Sequence, residues 1–162
     1  MESKVFYCKD AECKSLFQNQ SSHDKHTKKL VEIPPSLRKK FRFNRKLGQG
    51  SFAAVFEVKD NSDQKIKALK LMEDADTEED SEENIEIYIL SDIHYQYLIR
   101  YFYSGRVEEI SNTYILMEMC DVDLEGYINQ KNPSIKEKLD IFMQICKALH
   151  YLHCKCKVLC NA

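Results

Sequence analysis

Glycine is scarce in this sequence, at four of 162 residues, and two of the four, Gly48 and Gly50, are nearly adjacent in the run LGQGSFAAVFEV. A chain so poor in glycine seldom places it in a strand-like stretch unless the backbone must turn tightly or approach a ligand closely. Long apolar runs are missing too. None approaches the roughly 18 residues that a bilayer span needs, so no membrane helix is expected. The N-terminus, MESKVFYCKD, has no apolar core of the secretory kind. Seven cysteines, an odd count without such a leader, argue for reduced thiols or metal ligands rather than a disulfide frame, and hence for an intracellular chain of cytoplasm or nucleus. A net charge of −2 provides no global field to select a partner.

An apolar fraction of 43% with 31% charged residues describes a soluble globular protein. Its charge is unevenly spread: residues 25–46 carry nine basic side chains against the single acid Glu32, and 73–86 carry nine acids and no base. Each block reads most simply as a solvated surface or linker. Pro34 and Pro35 break regular structure, and the basic stretch SLRKKFRFNRK leads into the next unit, which sets a boundary near residue 36.

Beyond it, Phe41, Phe43, Leu47, Phe52, Val55, Phe56 and Val58 predict two strands around the glycines. DNSDQ (60–64) predicts a turn and KIKALKLM a third strand. NIEIYILSDI has helical spacing, with Glu86, Leu90 and Ile93 on one face. LIRYFYSGRVEE and NTYILMEMC predict two more strands, and DLEGYINQ a short helix. Pro133 and Ser134 open a long amphipathic helix whose stripe is Leu139, Phe142, Ile145, Leu149 and Leu152. Strands interrupted by one helix fit an α+β unit better than a doubly wound parallel sheet.

Gly48, Gly50 and Val55 match G-x-G-x-x-G-x-V, with Ala53 in place of the third glycine, and Lys70 follows in KALK. A dinucleotide fold would lead from such glycines into a helix, whereas strand-like FEV follows here. Over about 36–153 the sequence resembles the small lobe of protein kinases, most similar to the serine/threonine group. The resemblance implies a five-stranded antiparallel sheet plus one helix, followed by the first helices of a truncated large lobe. It implies ATP as ligand, held by Leu47, Gly48, Gln49, Gly50, Ser51 and Val55 of the loop, with Ala68 beside the adenine. It also implies that Lys70 contacts the α- and β-phosphates and that Glu86 pairs with it, Glu82 and Glu83 being the fallback carboxylates. Met117 corresponds to the gatekeeper, and backbone groups of Glu118 and Cys120 to the adenine-reading hinge. For Asp121 and Asp123 the resemblance implies contact with ribose or substrate, with helix capping as the alternative.

ICKALHYLH resembles the helix before the catalytic loop. Where an H-R-D triplet would fall stand Cys160, Asn161 and Ala162, so the domain at 36–162 stops before the catalytic aspartate and the magnesium ligands of the parent enzyme. The 162-residue chain alone is therefore expected to be inactive. Its final stripe, which a complete kinase would cover, is expected to promote self-association or to dock a protein partner.

Residues 1–35 form a separate segment. Cys8 and Cys13, then His23 and His26, with Tyr7 before and Phe17 after the cysteines, resemble a degenerate C2H2 zinc finger and imply zinc. The cysteine-to-histidine gap holds nine residues where twelve are usual, and the histidines are separated by two where three to five are usual. Incidental thiols are the alternative. A finger beside a basic run gives little support for nucleic-acid binding in a net acidic chain. Three functions follow: the ATP-binding part of a protein serine/threonine kinase, a non-catalytic pseudokinase or regulatory fragment, or a finger-led nucleic-acid adaptor.

Overall fold

The computed structural model describes residues 4–9, 16–17, 30–73 and 82–155. Three short strands come first: β1 (Phe6–Cys8), β2 (Leu16–Phe17) and β3 (Leu30–Glu32), antiparallel in the order β2-β1-β3. After them come helix α1 (Pro35–Lys40), β4 (Phe41–Gln49), β5 (Ala53–Asp60), β6 (Ile66–Glu73) and helix α2 (Glu82–Asp92). The chain continues through β7 (Tyr101–Val107), β8 (Asn112–Met117), α3 (Leu124–Lys131) and α4 (Ile135–Lys155). Strands β4 to β8 form a five-stranded antiparallel sheet of order β4-β5-β6-β8-β7, the small-lobe arrangement expected from the sequence.

The strand period of two sorts this sheet into two faces, because cross-strand partners lie on the same side. Phe56 pairs with Leu69, which pairs with Leu116, and Ala54 pairs with Leu71, which pairs with Tyr114. All six are buried, and with Tyr7, Ile33, Leu37, Phe41, Val58 and Val107 they make one apolar cluster. This is the outer face, and the N-terminal strands and α1 cover it. Tyr7 meets Phe56 edge to face at 5.1 Å between ring centres, and Phe41 meets Tyr114 in the same way at 5.8 Å. The boundary near residue 36 thus marks a change of role rather than a separation, since the described residues on both sides share one core.

SLRKK, expected as a basic lead-in, is instead helical within α1. Pro35 occupies the first turn, where its missing N–H costs nothing, and Arg38, Lys39 and Lys40 fall in the last turn, where cations are favoured. Leu37 is buried, and Asn61 takes the terminal carbonyls: its Nδ2 donates to Lys39 and its N–H to Lys40.

α4 begins with a reciprocal cap. Ser134 N–H donates to Glu137 Oε2 at 2.8 Å, and Glu137 N–H donates to Ser134 Oγ at 3.3 Å. Tyr151 stacks flat on Tyr95, with ring centres 4.3 Å apart, which ties α4 to the loop after α2. From the expected stripe, Leu139, Phe142, Ile145 and Leu149 are exposed, joined by Ile135 and Met143, whereas Leu152 is half-buried. No helix among the described residues is long and apolar enough to cross a membrane.

Candidate nucleotide site

β4 and β5 join through a tight turn at Gly50, Ser51 and Phe52. The Gly50 N–H donates to the Ala53 carbonyl at 2.8 Å. Gln49 folds its amide inward, so that Nε2 donates to the carbonyls of Gly50 at 3.1 Å and Ala53 at 3.3 Å. Ser51 and Phe52 stand exposed at the tip. Neither glycine has a positive φ, so this turn does not require glycine's conformational freedom, and that half of the sequence expectation is corrected. A Cβ at Gly48 would meet nothing within 4 Å, and one at Gly50 would meet only the Ala53 carbonyl at 3.7 Å. What the two glycines leave is open room above the ribbon.

The face opposite the apolar cluster carries the predicted residues. Val55 pairs with Lys70 and Lys70 with Ile115, and Ala68 in the next row of that face pairs with Met117. Strand geometry alone therefore brings Val55, Ala68, Lys70 and Met117 to one surface. Lys70 Nζ lies 2.8 Å and 2.5 Å from the two carboxylate oxygens of Glu86 on α2. Their side chains are 25% and 36% exposed, and a pair so open to water contributes about 1 kcal/mol or less to stability. The side chains of Glu82 and Glu83, the fallback carboxylates, lie outside the described residues. Leu47, just before Gly48, is half-buried.

At the end of β8 the chain is held by an exchange with Arg100. Glu118 N–H donates to the Arg100 carbonyl at 2.9 Å, and Arg100 N–H donates to Glu118 Oε1 at 2.7 Å. Cys120 follows, exposed. Asp123 is the N-cap of α3, accepting from the Gly126 N–H at 2.7 Å, so of its two expected roles the structure displays the capping one. Asp121 is exposed.

Of the four candidate zinc ligands, Cys8 ends β1 fully buried, while Cys13, His23 and His26 lie outside the described residues. Among the described residues no group of three or more His, Cys, Asp or Glu side chains converges to hold a metal ion.

Two buried lysines carry no signal in the sequence. Lys67 Nζ lies 2.8 Å from both Asp60 Oδ2 and Asp63 Oδ2 and 4.7 Å from the centre of the Phe102 ring. Burial pushes the Asp60 carboxyl up, but hydrogen bonds from Lys67 and Ser62 outweigh it and leave it below the usual carboxylate range. Burial likewise pushes Lys67 down, and its bonds to Asp60 and Asp63 hold it above the usual lysine value. The second buried lysine is Lys46, whose Nζ donates to the Cys8 carbonyl at 2.6 Å.

The family model for the protein kinase domain matches residues 41–160. The serine/threonine-protein kinase ppk11 of Schizosaccharomyces pombe is 32% identical over 111 residues, 66% of this chain and 35% of that protein. The cell cycle serine/threonine-protein kinase CDC5/MSD2 of Saccharomyces cerevisiae is 27% identical over 132 residues, 76% of this chain and 18% of that protein. The insulin-like growth factor 1 receptor of Xenopus laevis is 29% identical over 140 residues, 75% of this chain and 10% of that protein. The chain thus spans about a third or less of the length of these relatives. With the family match running from the first residue of β4 past the end of α4, the chain belongs to the protein kinase domain family.

Proposed function

We propose that these residues form the ATP-binding part of a protein serine/threonine kinase, an enzyme that moves the terminal phosphoryl group of ATP to a protein hydroxyl. One observation carries this reading: Lys70 is drawn to Glu86 across β6 and α2, on the face shared by Val55, Ala68 and Met117. A solvent-accessible ion pair does little for the fold, but it holds an ammonium extended where phosphate charge needs neutralising. The open room over Gly48 and Gly50 suits close approach of a phosphate to backbone N–H groups. Leu47, Val55, Ala68 and Met117 supply apolar surface for the adenine, with backbone groups of Glu118 and Cys120 reading its edge. The acceptor class rests on the two serine/threonine kinases among the relatives.

Magnesium accompanies ATP in this family and neutralises phosphate charge during transfer. Its customary ligands are an asparagine shortly after the H-R-D triplet and the aspartate of D-F-G, and neither triplet occurs in these 162 residues. What this chain's own side chains supply is therefore binding and orientation. The 162-residue polypeptide is expected to bind ATP without transferring its phosphate. Calorimetry should give ATP binding that Lys70→Met weakens about tenfold or more, as loss of a charge-assisted contact predicts. Equal affinity of the two proteins, or magnesium-dependent incorporation of labelled phosphate by the polypeptide alone, would contradict this reading.

A second reading, a non-catalytic fragment that docks a protein partner, is favoured by the exposed apolar stripe on α4. Zinc at Cys8 with Cys13, His23 and His26 stays a separate proposal, checked by one equivalent of metal per chain that Cys8→Ser removes.

A further inference from the structure

We infer that the N-terminal strands act as a brace that sets the position of the glycine ribbon, with Lys46 as the positioning residue; this rests on the nucleotide reading above. Lys46 stands two residues before Gly48 and is 0% exposed, a burial that a lysine almost never shows without a dedicated partner. Its Nζ donates to the Cys8 carbonyl, 38 residues away, at 2.6 Å. The same strand holds the ribbon's neighbour, because Lys46 pairs with Phe56 in the sheet and Tyr7 of β1 packs its ring edge to face with Phe56. Phe43 of β4 closes on Phe56 as well, at 5.4 Å. β1 is itself secured to the lobe, since the Ile33 N–H donates to the Val5 carbonyl at 2.8 Å and Arg38 Nε donates to the Ile33 carbonyl at 3.0 Å.

β4 has particular need of such a hold. Its register with β5 shifts twice, between Phe43 and Arg45 and again between Lys46 and Gly48, on either side of Lys46. Each shift interrupts the regular ladder and lets the strand bend and twist. The ladder alone therefore fixes the base of the ribbon weakly, and the outer-face contacts through Lys46 and Phe56 supply the missing constraint. The brace touches the side of the sheet away from Lys70. It therefore acts on phosphate binding through the ribbon's position, without touching the ligand.

A residue that positions the ribbon should affect ligands with phosphates more than ligands without them. The test compares ATP affinity, by calorimetry, with adenosine affinity, by ligand-observed NMR, in the full chain carrying Lys46→Met or Tyr7→Leu. Far-UV circular dichroism reports whether each variant is folded. The expected result is a loss of ATP affinity of about two- to thirtyfold, the range for residues that act at one remove, with a smaller loss for adenosine, which meets the ribbon only through Leu47 and Val55. Should Lys46→Met fail to fold, Tyr7→Leu, which removes the ring that packs on Phe56, decides. An unchanged ratio of the two affinities in the folded variants, whether both stay or both fall, overturns the brace. If the unaltered chain binds no ATP, or binds it equally well as Lys70→Met, the nucleotide reading fails and the brace with it. ATP binding that depends on Lys70 but shows no selective loss in either brace variant removes the brace alone.

Discussion

Lys70 and Lys67 are three positions apart on one strand and illustrate two uses of a lysine. Lys70 meets Glu86 in a partly solvated setting, so Glu86→Gln should leave the urea midpoint nearly unchanged while ATP binding weakens; a large stability loss instead would make the pair structural. Lys67 is buried on the outer face between Asp60, Asp63 and the Phe102 ring. Lys67→Met should cost about 3 kcal/mol at pH 7, the low end for a broken buried pair because Ser62 still donates two hydrogen bonds to Asp60. The sign with pH follows from Asp60, whose carboxyl is held below its ordinary value. Its contribution is present in full above the unfolded value of about 4 and is lost as pH falls through the lower folded one. Urea midpoints of the two proteins should therefore converge below about pH 4, and a gap that stays constant would contradict the assignment. The Lys70–Glu86 pair was legible through the resemblance of EIYILSDIHYQYLIRYF to the family's run from helix to strand. Lys46 and Lys67 were not, since nothing local tells which distant carbonyl or carboxylate will meet a lysine.

Elements with a strong period were the readable ones. β5 and β6 alternate, α4 carries its stripe behind Pro133 and Ser134, and all three fall where the sequence places them. β1, β2 and β3 are two or three residues long, too short for a period, and they exist because the apolar outer face of the larger sheet needs a cover. α1 was hidden for a similar reason: its six residues are held by Leu37 in the core and by Asn61 at the carbonyl end. If that cover is a true part of the core, Phe56→Ala should destabilise the chain by about 3–5 kcal/mol in urea unfolding, as for a large aromatic removed from a packed interior. A loss below about 1 kcal/mol would mean that Tyr7 and Phe43 merely rest on β5.

The whole molecule has two unlike surfaces. The small lobe buries one sheet face under its N-terminal strands, while α4 leaves Ile135, Leu139, Phe142, Met143, Ile145 and Leu149 open to water. Burying a large apolar side chain gains about 1.5–3 kcal/mol, so sedimentation velocity of the 162-residue polypeptide should show concentration-dependent association that Phe142→Glu reduces. A monodisperse species at high concentration would contradict this. The most direct measurement of the nucleotide reading uses an acyl-phosphate derivative of ATP, which transfers its acyl group to an amine lying beside the phosphates. With that derivative seated over the glycine ribbon, peptide mass spectrometry should find the acyl group on Lys70, with excess ATP suppressing it. Labelling scattered over surface lysines, or labelling of Lys70 that ATP does not suppress, would show that no triphosphate sits between Gly48 and Lys70.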